Sequence, residues 1–179
     1  GTETLSLNDI IAQSSNIGTV LASRTVSSDQ LYNTYKNFGI GQNPGTDFPG
    51  TASGSIKDAS SWDPVTAANI TFGQGVSVTG MQIVRAYGAL EQRGTMHTPH
   101  FLMSIPNDQA KTDELASSLN TSDSVADANV CNEVVSMMKS VVTDGTGKDA
   151  AVDGFTVAGK TGTAEVAKSS GGYGNGYIV

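Results

Sequence analysis

Four consecutive residues, Lys160-Thr161-Gly162-Thr163, put a cation, two hydroxyls and a residue without a side chain into one short stretch, directly after Gly159. On a strand, Lys160 and Gly162 would share one face and Thr161 and Thr163 the other. A twisted edge strand still brings the ammonium and a hydroxyl to the rim of a cleft, and Gly162 lets a ligand approach the backbone closely. Such a stretch suits the binding of a carboxylate and the presentation of backbone N–H groups to a developing oxyanion. Far away in the chain, Ser14-Ser15-Asn16 offers a hydroxyl and an amide two positions apart. In a continuous helix residues two apart diverge by about 200° and cannot converge. In a turn between helices they face one site, where the hydroxyl could relay a proton and the amide hold a substrate carbonyl or amide. The tripeptide by itself reads more readily as a helix interruption, because Ser and Asn compete for backbone hydrogen bonds.

Two other patterns match chemistry by letters alone. Gly154 to Thr161 fits the phosphate-loop pattern G-x-x-x-x-G-K-[ST]. That motif needs a buried strand before it and a helix after it. Here Lys148-Asp149-Ala150-Ala151-Val152-Asp153 precedes it, and poor helix formers follow it. His97 and His100 lie three apart in a stretch expected to be extended, so they point to opposite faces, and no cysteine or carboxylate cluster completes a metal set. The single Cys131, in an apolar helical stretch, is expected to be a buried structural thiol.

The elements that must position these groups follow from periodicity. Leu7 to Arg24 is predicted as a helix interrupted at Ser14-Ser15-Asn16, with Ser6 as N-cap and Asp9 in the first turn. A second helix runs from about Ser28 to Phe38, closed by Gly39. Residues Gly41 to Trp62 form a Gly/Pro/Ser/Thr-rich connection of the kind that often lines a binding site. Asp63-Pro64 marks a turn beside Trp62, which either belongs to that turn or lines a cleft. Val65 to Phe72 leads into a tight turn at Gly73-Gln74-Gly75. Thr79 caps an amphipathic helix carrying Ile83, Val84, Tyr87 and Leu90, stopped by Gly94. Thr95 to Ile105 is expected to be extended and Pro106 to Ser124 a polar surface loop. Asp127 to Val142 is a helix with Val130, Val134, Val135 and Met138 inward, and Phe155 to Val166 is the strand that carries the lysine motif.

The chain of 179 residues suits one domain that buries roughly two-thirds of its unfolded surface. Ten basic against 17 acidic residues give a formal charge of −7, and no two basic residues are adjacent, which argues against a phosphate-backbone or nucleic-acid partner. No apolar run has the length of a membrane span. The 21 glycines and frequent Ser and Thr fit a loop-rich α/β composition better than a helical bundle.

With these residues in place, the chain resembles the penicillin-binding transpeptidase domain, and is most similar to class B enzymes of septal, elongation or spore peptidoglycan synthesis. That family carries S-x-x-K, then S-x-N, then K-[ST]-G in chain order. Ser14-Ser15-Asn16 matches the second element and Lys160-Thr161-Gly162 the third. Similarity extends through Ile70 to Thr79, Ala86-Tyr87, Gly145-Thr146-Gly147-Lys148 and Ala158 to Glu165. The resemblance implies an α+β fold with helices packed on an antiparallel sheet, in which residues 1–179 form one partial domain that is cut at both ends. It implies a serine D,D-transpeptidase that cross-links peptidoglycan stem peptides ending in D-alanyl-D-alanine and binds β-lactams, without cofactor or metal. The parent protein would be membrane-anchored, on the outer face of the bacterial cell membrane, in a cell-wall synthesis complex. Lys160, Thr161, Gly162 and Thr163 would hold the carboxylate of the substrate, with Thr163 N–H as half of an oxyanion hole. Ser14 would pass a proton to the leaving amine and Asn16 hold the donor's amide.

The nucleophilic element departs from the pattern. No S-x-x-K precedes Ser14 in this sequence. Ser136-Met137-Met138-Lys139 matches the letters, but in the wrong order and with Met138 expected in the core. The chain alone is therefore expected to form no acyl-enzyme, since covalent catalysis needs nucleophile and base together. A β-lactam sensor, a D,D-carboxypeptidase or a non-catalytic binding module are the alternatives that share these elements. An open sheet edge at Tyr177-Ile178-Val179 is a possible site of self-association.

Overall fold

A computed structural model describes residues 3–119, 121–167 and 173–178. Seven α-helices and four short strands are found among them, in the order α1 (Leu7–Ala12), α2 (Asn16–Ser23), α3 (Ser28–Asn37), α4 (Pro64–Thr71), α5 (Gly80–Glu91), β1 (Thr95–His97), α6 (Gln109–Leu119), β2 (Ser122–Ser124), α7 (Ala128–Thr143), β3 (Ala164–Ala167) and β4 (Tyr173–Ile178). The class is α+β, as expected. Its sheet content among the described residues is two separate antiparallel pairs, β1 with β2 and β3 with β4. The chain divides into two compact units. The first comprises Gly1–Ser27, Trp62–Gly75 and Glu133–Val179, and the second Ser28–Ser61 and Val76–Asn132.

In the first unit the Ser6 side chain accepts from Asp9 N while Asp9 accepts from Ser6 N, a reciprocal cap that starts α1. The helix stops at Ala12, and α2 begins at Asn16 under its own cap, Ser15, whose hydroxyl accepts from Gly18 N at 3.1 Å. Gly18 is where the two helices approach: a Cβ there would lie 2.7 Å from Ile10 Cγ1. The expected Asp63-Pro64 turn is a helix start instead. Asp63 Oδ1 accepts from Val65 N and Thr66 N, and Pro64 takes the first helical position, where its missing N–H costs nothing. Ile70 on α4 and Met138, Val141 and Val142 on α7 are buried. The loop after α7 closes over the end of α1, with Thr146 N donating to Ala12 O at 3.0 Å. A Cβ on Gly145 would lie 2.1 Å from that same carbonyl, so only glycine fits.

The lysine-motif strand is shorter than its β-propensity predicts. Ladder pairing begins only at Ala164, opposite Ile178 of β4, and residues 155–163 have no strand partner among the described residues. Their backbone is anchored elsewhere: Gly159 N donates to Met138 O of α7 at 3.2 Å. Among the described residues no helix follows Lys160-Thr161 and no strand directly precedes Gly154, so the phosphate-loop letters are not matched by phosphate-loop structure. Of the suggested association edge, Tyr177 and Ile178 pair with Glu165 and Ala164, and Val179 lies outside the described residues.

In the second unit α5 packs on β1 and α3 on the 3-10 turn Ala59–Ser61. The Thr79 cap of α5 is reciprocal with Gln82. The expected apolar face of α5 is corrected, since Ile83, Val84 and Tyr87 are exposed and the buried residues are Gln82 and Ala89. Gln82 is buried because its amide has work there: Nε2 donates towards the carbonyls of Gln42 (2.6 Å), Ser53 (2.7 Å) and Gly39 (3.2 Å), and Oε1 accepts from Thr79 N. The Gly41–Trp62 connection is thus pinned at two backbone carbonyls, those of Gln42 and Ser53. The expected loop from Pro106 to Ser124 contains α6 and β2. Its polarity hid a helix capped by Asp108, whose Oδ1 accepts from Lys111 N. On α7, Cys131 is buried as expected, whereas Val130 is exposed. Burial, with Asp127 nearby, pushes the Cys131 thiol up from its ordinary pKa, away from the reactive thiolate.

Candidate active site

The serine, asparagine and lysine-motif residues of the second and third elements lie around one cavity of about 370 Å³. Ser14 and Asn16 line it from the α1–α2 turn, and Lys160, Thr161, Gly162 and Thr163 line it from the segment before β3. The local fold explains why Ser14 and Asn16 can converge. Ser15 spends its hydroxyl on the α2 cap and its carbonyl on Thr19 Oγ1, at 3.0 Å. Ser14 has φ 56°, a left-handed conformation uncommon outside glycine, Asn and Asp. That kink breaks the helical run and leaves the two flanking side chains, rather than the central one, for the cavity.

Lys160 closes the constellation. Its Nζ donates to Ser14 Oγ at 2.7 Å, across 146 positions of sequence. It also reaches Thr161 O at 3.0 Å and Thr161 Oγ1 at 3.3 Å. An ammonium has three donors and no acceptor, so all three are engaged, the longest contact being the one to the Thr161 hydroxyl. Ser14 accepts from Lys160 and so keeps its own proton for a further partner. Partial burial lowers the Lys160 pKa below its ordinary value of 10.5, which brings the ammonium closer to giving a proton to Ser14. Among the described residues no carboxylate side chain lines the cavity, and the charged side chain that does is cationic, so the site is complementary to an anion.

The expected split of Lys160 and Gly162 from Thr161 and Thr163 is corrected: all four line the same cavity, because this segment is not held in a flat ladder. Sequence reasoning overlooked Ile10, Ile11, Thr19, Thr71 and Phe72, which also line it. Thr19 had a signal, lying one helical turn after Asn16 on α2. Trp62 is not among the lining residues, and neither is any part of Ser136-Met137-Met138-Lys139. In that tetrapeptide Met138 is buried while Ser136 and Lys139 are exposed on α7. His97 and His100 belong to the second unit, where His100 Nδ1 lies 3.0 Å from Leu102 O.

Comparison with known proteins fits this geometry. The family model described as the penicillin-binding protein transpeptidase domain matches residues 1–178. Stage V sporulation protein D of Bacillus subtilis is 33% identical over 171 residues, covering 96% of this chain and 26% of the relative. Peptidoglycan D,D-transpeptidase FtsI of Escherichia coli is 31% identical over 176 residues, covering 98% of this chain and 28% of the relative. The apo transpeptidase domain of Burkholderia pseudomallei penicillin-binding protein 3 superposes with a TM-score of 0.84 at 31% identity, covering 98% of this chain and 50% of that one. The chain spans about a quarter of the length of the curated relatives it matches. With the second and third motif elements joined through the Lys160–Ser14 hydrogen bond and the match running over nearly its whole length, the chain belongs to the penicillin-binding protein transpeptidase domain family.

Proposed function

We propose that these 179 residues are the substrate-carboxylate and proton-relay half of a peptidoglycan D,D-transpeptidase, which acylates on a serine outside them and is blocked by β-lactams. The observation that carries the reading is the 2.7 Å hydrogen bond from Lys160 Nζ to Ser14 Oγ, inside a cavity also lined by Asn16, Thr161 and Thr163. In this mechanism the terminal carboxylate of a D-alanyl-D-alanine stem peptide, or the carboxylate of a penicillin, lies against Lys160 and the hydroxyls of Thr161 and Thr163. Such charge-assisted contacts are stronger than neutral ones. Asn16 holds the amide of the acyl donor. The backbone N–H of Thr163 contributes to an oxyanion hole, where removal of one donor typically costs roughly 3–4 kcal/mol of transition-state stabilisation. Ser14, fed by Lys160, delivers the proton that the leaving D-alanine amine needs when the acyl bond forms.

The substrate lies outside the cytoplasmic membrane, so the parent protein works at that face, as part of the machinery that builds the wall. No helix among the described residues is long and apolar enough to cross a membrane. The test is covalent labelling. The 179-residue chain alone is expected to give no adduct with a fluorescent penicillin, and the full-length protein to be labelled on a serine outside these residues. Mass spectrometry that finds a stable adduct on any serine of this chain overturns the division of labour. Cross-linked rather than simply hydrolysed stem peptides from the full-length protein would separate a transpeptidase from a carboxypeptidase or a sensor.

A further inference from the structure

Thr146 stands outside the cavity wall but touches it through one bond. Its Oγ1 lies 2.8 Å from Thr161 Oγ1, and either atom can be the donor. Thr161 Oγ1 also lies within reach of Lys160 Nζ, at 3.3 Å, and an ammonium can only donate. A hydroxyl has one proton and two lone pairs, so the direction of the Thr146–Thr161 bond decides what Thr161 has left. If Thr161 donates to Thr146, its proton is committed and the site has no hydroxyl donor there. If Thr146 donates, both lone pairs of Thr161 are filled, by Thr146 and Lys160, and its proton is free for an anion in the cavity.

Thr146 is held firmly enough to act in this way. Its own N–H donates to Ala12 O, two residues before Ser14. On either side, a Cβ on Gly145 would lie 2.1 Å from Ala12 O and one on Gly147 3.0 Å from Val141 Cγ1. Gly147 N donates to Val141 O at 2.9 Å. The threonine thus sits between two close-packed glycines, tied by its backbone to the helix that leads into Ser14 and by its side chain to the lysine motif.

Resting on the transpeptidase reading above, we propose that Thr146 is a positioning residue that sets the polarity of the Thr161 hydroxyl, turning it into a donor when a carboxylate enters. The experiment compares acylation of the full-length protein by benzylpenicillin and by its methyl ester, which lacks the anion. Thr146→Val is expected to slow acylation by the acid about 10-fold, the scale of one hydrogen bond to a charged group, and by the ester less than about 2-fold. Thr146→Ser, which keeps the hydroxyl, is expected to restore the acid rate to within about 3-fold. Equal slowing of both probes, or none in Thr146→Val, overturns the proposal. A second measurement needs no variant to fold. In wild-type protein with methyl-labelled threonine, D-alanyl-D-alanine should shift the Thr146 and Thr161 signals with one saturation curve, and a silent Thr146 overturns the proposal. Wild-type protein that is acylated by neither probe overturns the transpeptidase reading instead, while the dipeptide titration still decides the role of Thr146.

Discussion

At the scale of single residues, the site is built on one backbone irregularity. Ser14 has φ 56°, a region that costs an L-residue with a Cβ roughly 1–2 kcal/mol. A residue kept in such a conformation where its hydroxyl meets Lys160 ties the strain to the place where chemistry is expected. The strain and the hydroxyl can be separated. Ser14→Ala removes the hydroxyl and keeps the Cβ, whereas Ser14→Gly removes both. Urea unfolding is expected to show Ser14→Gly more stable than Ser14→Ala by up to about 1 kcal/mol, the conformational relief being partly offset by the freer unfolded chain. The reverse order would mean that the conformation is not strained. This kink was only half visible in the sequence. Ser-Ser-Asn announced a break, but nothing in three polar letters says which residue turns left-handed or that Ser15 will be consumed as a cap. The lysine motif was legible for the opposite reason: its residue types are themselves the chemistry, whatever the backbone does around them.

At the scale of elements, caps and glycine punctuation were the readable part. Ser6, Thr79 and Gly39 sit where their side chains, or the lack of one, predict. Polar and apolar patterning misled in two places. Helix α6 looked like loop because its residues are hydrophilic, and α5 looked as if it buried Ile83 and Val84 when its buried anchor is Gln82. A buried amide that serves three carbonyls leaves no periodic trace, since its partners Gly39, Gln42 and Ser53 are about 30 to 40 positions away. Gln82→Met keeps the volume and removes every one of these bonds. Stranding a buried carbonyl such as that of Gly39 costs about 1–3 kcal/mol, and the part-buried carbonyls of Gln42 and Ser53 add to it, so a loss of at least about 2 kcal/mol is expected in urea unfolding. Hydrogen exchange should then rise at Ser55 and Ser77, whose mutual backbone bonds fix the neighbouring connection. An unchanged unfolding midpoint would show that the hub is dispensable.

At the scale of the whole molecule, an acidic chain with formal charge −7 carries engaged carboxylates in both units. Hydrogen bonds from Ser6 hold the Asp9 pKa below 3.8, and the backbone N–H groups of Phe101 and Leu102 do the same for Asp47. A carboxylate with a lowered folded pKa stabilises above its unfolded value, and that stability is lost as pH falls from about 3.8 through the folded value. Lys160 acts with the opposite charge but in the same direction. Because burial lowers its pKa below 10.5, the unfolded chain binds the extra proton between the two values, and stability rises with pH in that window. Unfolding midpoints measured from pH 5 down to 2 should therefore fall, and Asp47→Asn should flatten that fall relative to wild type. An equally steep acid limb in the variant would remove Asp47 from the account. The division into units was only partly legible in the sequence. The chain changes unit at residues 27, 61, 75 and 132; the second and third of these fall at the ends of the Gly41–Trp62 connection and the Gly73-Gln74-Gly75 turn, and nothing comparable marks the first and last.

The 146 positions between Ser14 and Lys160 also have a consequence in time. A ribosome adding about 5–20 residues per second needs roughly 7–30 s to go from one to the other. For that whole interval the emerging chain has its serine turn but not the lysine that completes it. The anion pocket therefore cannot form before Lys160 has been made, and a nascent polypeptide released before that point would have helices but no site.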